Sequence, residues 1–170
     1  MYAATKPLPW FALRVRARSA KTTATLLGHK GYEWFLPLYK SKRRWSDRVK
    51  ELELPLFPGY LFCRLDLDNR LPVLQTPGVV NIVGIGKTPI PLEDEEISAI
   101  QCIVKSGLSA QPWPFLQLGQ QVRIDRGPLS GLEGIVVHLK SQHRLVVSIK
   151  LLERSVAVEI EAGWVMALRP

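Results

Sequence analysis

The sequence predicts an α+β chain: an N-terminal α/β sandwich with a mainly antiparallel sheet, then a small antiparallel β-barrel. Three observations carry this expectation. Residues 10–18 alternate with the period of a strand, and later strand-like runs are interleaved with helical stretches in the order β-α-β-β-α-β-α. Beyond residue 115 the pattern changes to five short runs separated by turn residues, the spacing of a small barrel. An apolar fraction of 46% over 170 residues is enough for packed cores and excludes a disordered chain.

Taken in order, Trp10 to Arg18 places Phe11, Leu13, Val15 and Ala17 on one face and Trp10, Ala12, Arg14, Arg16 and Arg18 on the other, a half-buried strand with an arginine-lined outer face. Ser19 is positioned to cap a helix through about Lys30, which Gly31 ends in a left-handed conformation. A second strand is expected over Tyr32 to Tyr39. Residues Lys40 to Glu53 form a polar excursion, read as two extended arms around a turn near Ser46-Asp47. A third strand over Gly59 to Leu67, a short helix over Asn69 to Leu74 and a fourth strand over Val79 to Val83 follow. Gly84 to Pro91 reads as a loop. Glu93 to Glu96 then open a helix to about Lys105, with acids opposing the positive end of its dipole. The division expected is a domain over 8–105, a linker over 106–115 and a barrel domain over 116–170, with strands at 121–126, 134–140, 144–150, 155–161 and 164–168.

The net charge is +8, and its distribution is uneven. Twelve Lys and Arg against two acids give residues 1–50 a net +10, so the rest of the chain sums to about −2. A polyanionic partner for the first third is the expectation. Cys63 and Cys102 match no metal-ligand spacing, and two thiols suit a reducing compartment. With neither a signal-peptide h-region nor an apolar run of about 18 residues, the chain reads as cytoplasmic, with no membrane partner.

Most motif-like features do not survive their own chemistry. Gly84-Ile85-Gly86-Lys87-Thr88 lacks the upstream glycine of a phosphate-binding loop, because that position is Asn81, and Pro89 and Pro91 prevent the helix it needs. His29, His138 and His143 have neither a metal spacing nor a nucleophile beside them, and adjacent acids such as Glu93 to Glu96 do not share a helix face. No catalytic residue, metal or cofactor is expected, and the chain is read as no enzyme. The basic segment is different. Lys40, Lys42, Arg43, Arg44 and Arg48, with Trp45 among them and Tyr39 before them, suit phosphate contacts plus stacking on unpaired bases, and Arg14 and Arg16 would extend that surface. Beside it, Phe57 and Tyr60 flank Pro58-Gly59, where an exposed aromatic would be an interface anchor.

Trp10-Phe11-Ala12-Leu13, Phe57-Pro58-Gly59-Tyr60 and Thr76-Pro77-Gly78-Val79 together resemble the NusG N-terminal domain of transcription elongation factors. The run from Gly119 to Val136, with Gly127-Pro128 and Leu132-Glu133-Gly134, is similar to a KOW motif, which implies an SH3-like barrel. Both in this order cover nearly the whole chain. The resemblance implies a monomeric antitermination factor that binds the clamp helices of RNA polymerase through Trp10, Phe11, Phe57 and Tyr60 and suppresses pausing or termination. It also implies that the basic hairpin reaches non-template DNA or nascent RNA. The KOW domain, through Leu129 and Leu132, would contact a ribosomal protein or termination factor. Gly31 to Pro37 and Leu151 to Glu159 look like the specialised UpxY and LoaP paralogues that serve long operons; housekeeping members more often carry Phe-Gly-Arg where this chain has Leu152-Glu153-Arg154. The alternatives are a housekeeping NusG-type elongation factor and a KOW-type RNA- or ribosome-binding protein acting away from polymerase.

Overall fold

The computed structural model describes residues 6–168, and these divide into two compact units. The first comprises the chain up to Leu36 together with Gly59–Asp94; the second comprises Pro37–Pro58 together with the chain from Glu95 onward.

In the first unit, β1 (Trp10–Val15), β2 (Trp34–Phe35), β5 (Tyr60–Arg64) and β6 (Val79–Ile82) form an antiparallel sheet in the order β2-β5-β1-β6. The numbers β3 and β4 belong to the basic hairpin, Leu38–Trp45 and Arg48–Pro55, in the second unit. Helix α1 (Ala20–His29) presents Ala24 and Leu27 to the sheet, where they join Phe11, Leu13, Val15, Leu61, Cys63, Leu65 and Val73 in one buried cluster. Burying such side chains contributes about 1.5–3 kcal/mol apiece. The arginine-lined outer face expected of β1 is not what forms. β1 is central, so its second face is covered as well: Trp10 and Ala12 are buried, and of the strand's residues only Arg14 is exposed. Ser19 precedes α1 but makes no side-chain cap, while Gly31 follows it at φ 90 as expected.

A one-turn helix α2 (Leu71–Leu74) precedes Thr76-Pro77-Gly78-Val79. That motif is held by the fully buried Thr23, whose Oγ1 donates to the Pro77 carbonyl at 2.9 Å. Gly78 sits at φ 94 against the same hydroxyl, and an added Cβ would lie 2.1 Å from it. Residues 84–91, expected as a loop, contain a minimal hairpin of β7 (Gly84–Ile85) and β8 (Thr88–Pro89), and the next helix begins only at Asp94.

The second unit holds the β3–β4 hairpin, α3 (Asp94–Ser106) and six strands: β9 (Ala110–Trp113), β10 (Gln120–Ile124), β11 (Glu133–Leu139), β12 (Gln142–Ile149), β13 (Arg154–Ile160) and β14 (Val165–Ala167). Their sheet runs β14-β10-β11-β12-β13-β9 and is antiparallel throughout. Val122, Ile124, Leu145, Val147, Ile149, Val156, Val158 and Ile160 alternate into the barrel interior.

The expected linker over 106–115 contains β9, an added barrel strand paired with β13 from Ser155↔Trp113 to Val158↔Ala110. The reason is chemical. Trp113 and Leu116 cover the apolar patch Ile135, Val146 and Ala157 on the barrel's outer face. The Ser148 and Ser155 hydroxyls, 2.6 Å apart, clasp the backbone of Leu116: its N–H donates to Ser155 Oγ at 3.1 Å, and Ser148 Oγ donates to its carbonyl at 3.3 Å. Helix α3 is tied to the barrel too, since the Lys150 N–H donates to Glu96 Oε2 at 3.0 Å. The compact units therefore do not follow the expected cut after residue 105. Among the described residues no helix is long and apolar enough to cross a membrane.

Candidate functional site

The basic hairpin is built by local rules. Trp45 lies opposite Arg48 across the two-residue turn Ser46-Asp47, with Ser46 at φ 47. At the base, Tyr39, Leu52 and Leu54 are half-buried, and Leu38, Tyr39, Lys40 and Leu56 line a recess of about 360 Å³ with Ile103, Val104 and residues 107–110. Toward the tip everything is solvent-exposed: among the described residues Lys42, Arg43, Arg44, Arg48 and Lys50 have no ion pair, and Trp45 is 64% exposed with no ring or guanidinium stacked on it. Lys40 pairs with Glu51 at 3.6 Å. Arg14 and Arg16 are exposed as well, but they lie in the first compact unit.

The expected polymerase-binding set is divided by strand geometry. Successive residues of a strand point to opposite faces. Phe11 accordingly belongs to the cluster under α1, while Trp10 shares the other sheet face with Tyr60. Phe11 and Trp10 cannot line one pocket. Trp10 is 3% exposed and Tyr60 9%, and each ring carries a guanidinium: Arg64 at 4.6 Å from the Trp10 centroid, Arg14 at 5.8 Å from that of Tyr60. Phe57 is buried and lies in the second unit.

Arg64 escaped the sequence reading. It stands directly across from Trp10, its Nη1 donates to the Leu8 carbonyl, and its Nε lies 3.2 Å from Glu33 Oε2 without hydrogen-bond geometry. The signal that could have found it was register: one arginine in the otherwise apolar run Tyr60 to Leu65 must face something specific.

In the barrel, Leu129 is fully buried and is corrected from partner contact to core. The turn at Gly127-Pro128 folds it inward, and the Leu132 N–H donates to its carbonyl at 3.0 Å. Leu132 itself is half-buried. His138 and His143 form a cross-strand edge-to-face pair 4.0 Å apart. Among the described residues no group of three or more His, Cys, Asp or Glu side chains could hold a metal.

Comparison with known proteins agrees with this architecture. A family model described as NusG, transcription termination factor, matches residues 8–101. The transcription termination/antitermination protein NusG of Borreliella burgdorferi is 28% identical over 137 residues, covering 74% of this chain and 74% of that protein. The protein of that name from Thermus thermophilus is 32% identical over 123 residues, covering 65% of this chain and 66% of that one. A solved structure described as domain interaction in Thermotoga maritima NusG has a TM-score of 0.58 at 18% identity, covering 95% of this chain and 97% of that one; the likeness is one of fold. The family match spans more than half of the 170 residues, and the chain belongs to the NusG family of transcription factors.

Proposed function

We propose that this protein is a non-enzymatic elongation and antitermination factor that binds RNA polymerase and suppresses pausing or termination on specific long operons. The observation that carries the reading is the hairpin: a family-type domain with an arm of unpaired cations and a bare tryptophan at its end. Such an arm suits a nucleic acid close to a protein partner. For the partner, the exposed Arg14 beside the Tyr60 ring marks the accessible rim of that covered sheet face, and this rim is the contact proposed for the polymerase clamp helices, with Trp10 buried behind it. Affinity for the closed clamp alone would favour processive elongation, and a coupling of about 1–3 kcal/mol is enough. Leu132 remains the proposed barrel contact for a ribosomal protein or termination factor. The specialised reading is supported by Glu153, a left-handed residue at φ 50 where the resembled housekeeping turn carries glycine.

The test is retention of the full chain on purified core polymerase, with elongation timed on a template that contains pauses. Retention and shortened pauses are expected. Phe57→Ala is a poor probe, because truncating a buried phenylalanine costs about 3–5 kcal/mol of stability. Tyr60, 9% exposed, shares that defect, so the probe is Arg14→Ala, which removes the exposed guanidinium over the Tyr60 ring. Checked by its thermal melt, this variant should weaken retention about tenfold. An intact chain that polymerase does not retain sinks the proposal, and retention on ribosomes instead favours the KOW-type alternative.

A further inference from the structure

The two faces of the β3–β4 hairpin are chemically different, and the register says how. Residues directly opposite across an antiparallel pair project to the same side. One face therefore carries Lys40 with Glu53, Lys42 with Glu51, and Arg44 with Val49. Its two lysines are matched by two glutamates, and the Lys40–Glu51 ion pair at 3.6 Å closes part of that set. The other face carries Trp45 with Arg48 and Arg43 with Lys50, and below them Ser41 with Leu52 and Tyr39 with Leu54. No acid lies on it. Its outer half holds three cations without an ion pair among the described residues and the exposed indole of Trp45; a recess of about 360 Å³ wraps the tip between Trp45, Arg48 and Lys50 of this face and Val49 of the other.

Resting on the proposed nucleic-acid reading of the hairpin, we propose that the Trp45–Arg48–Arg43–Lys50 face alone holds an unpaired DNA strand, with one base stacked on Trp45 and the three cations on the flanking phosphates. Charge selects this face. The opposite one is close to neutral and offers a polyanion little. The indole selects an unpaired strand, because a base in a duplex has both faces covered by its neighbours and has none to give Trp45. The sugar is not read. Arg43, Arg48, Lys50 and the indole N–H are donors that phosphate oxygens satisfy. Although a 2′-hydroxyl oxygen could accept from them, no side chain in the outer half accepts its proton, so the face does not require that hydroxyl and a DNA strand fills it.

The test uses the full chain and a labelled twelve-nucleotide strand of mixed sequence, as single-stranded DNA, as single-stranded RNA and as duplex DNA, followed by anisotropy. Two variants remove equal charge from opposite faces: Arg43→Gln with Arg48→Gln, and Lys40→Gln with Lys42→Gln. The first should weaken single-stranded DNA binding at least about tenfold and the second no more than about threefold, a residue of long-range field that added salt removes. Trp45→Ala should cost at least about fivefold and Trp45→Phe, which keeps a stacking ring, much less. Duplex should bind more weakly than the single strand. Equal losses from the two faces overturn the one-sided assignment while leaving the hairpin a nucleic-acid element, as does a Trp45→Ala variant that binds like the parent. Tighter binding of duplex overturns the unpaired strand, and RNA held more than about tenfold tighter overturns DNA. If the parent chain binds none of the three, the nucleic-acid reading of the hairpin falls as well.

Discussion

Glu153 shows what one residue can store. It ends a 3₁₀ turn with φ 50 and ψ 48, where an L side chain crowds the following carbonyl at a cost of about 1–2 kcal/mol. Glycine removes that cost but gives the unfolded chain about 0.4–1 kcal/mol of extra entropy. Glu153→Gly should therefore raise stability by about 0.5 kcal/mol in urea unfolding, and a destabilised variant would mean that the glutamate side chain earns its place by contacts. Cys63 is the opposite case, a side chain held by its surroundings. Burial pushes its thiol up from 9.0 to about 12. A folded-state value above the unfolded one gives stability that is fully present below pH 9 and is lost as pH rises toward 12. The stability advantage of the parent over Cys63→Ala should accordingly shrink by about 1.4 kcal/mol between pH 7 and pH 10. A gap that stays constant over that range would show the thiol to be unperturbed. Native Cys63 should also resist thiol reagents that reach the half-buried Cys102.

At the scale of the element, β9 and the residues after it are the instructive ones. Proline-rich, short and between two patterned regions, residues 106–115 read as a linker, yet they carry an edge strand and an apolar cover. Prolines are tolerated at a sheet edge, and Pro112 sits there beside Val156. The Ser148–Ser155 pair then fixes Leu116, and Arg144 lies 5.3 Å from the Trp113 ring centroid. Ser155→Ala leaves the Leu116 N–H and the Ser148 hydroxyl short of a partner, which should cost about 1–3 kcal/mol. Hydrogen exchange over residues 110–116 should quicken in that variant; unaltered protection would show that apolar cover alone holds the segment. The hairpin is the contrasting element. Its turn and charged arms were legible, because alternation and a two-residue polar turn are local properties, while Leu38 and Tyr39, expected in the preceding strand, belong to its base.

Across the whole molecule, local and non-local information separate cleanly. By itself the sequence determined the α+β class, the helices α1 and α3, the five barrel strands from 120 to 167, and the charged arm. These follow from residue periodicity and turn chemistry, which need no knowledge of neighbours. Only the tertiary structure decided that both faces of β1 are covered, that Trp10 and Phe11 serve opposite sides of one sheet, that Leu129 is core, and that the expected linker belongs to the barrel. The physical reason is the same each time. A side chain's period says which residues share a face, whereas burial and pairing depend on what the rest of the chain lays against that face.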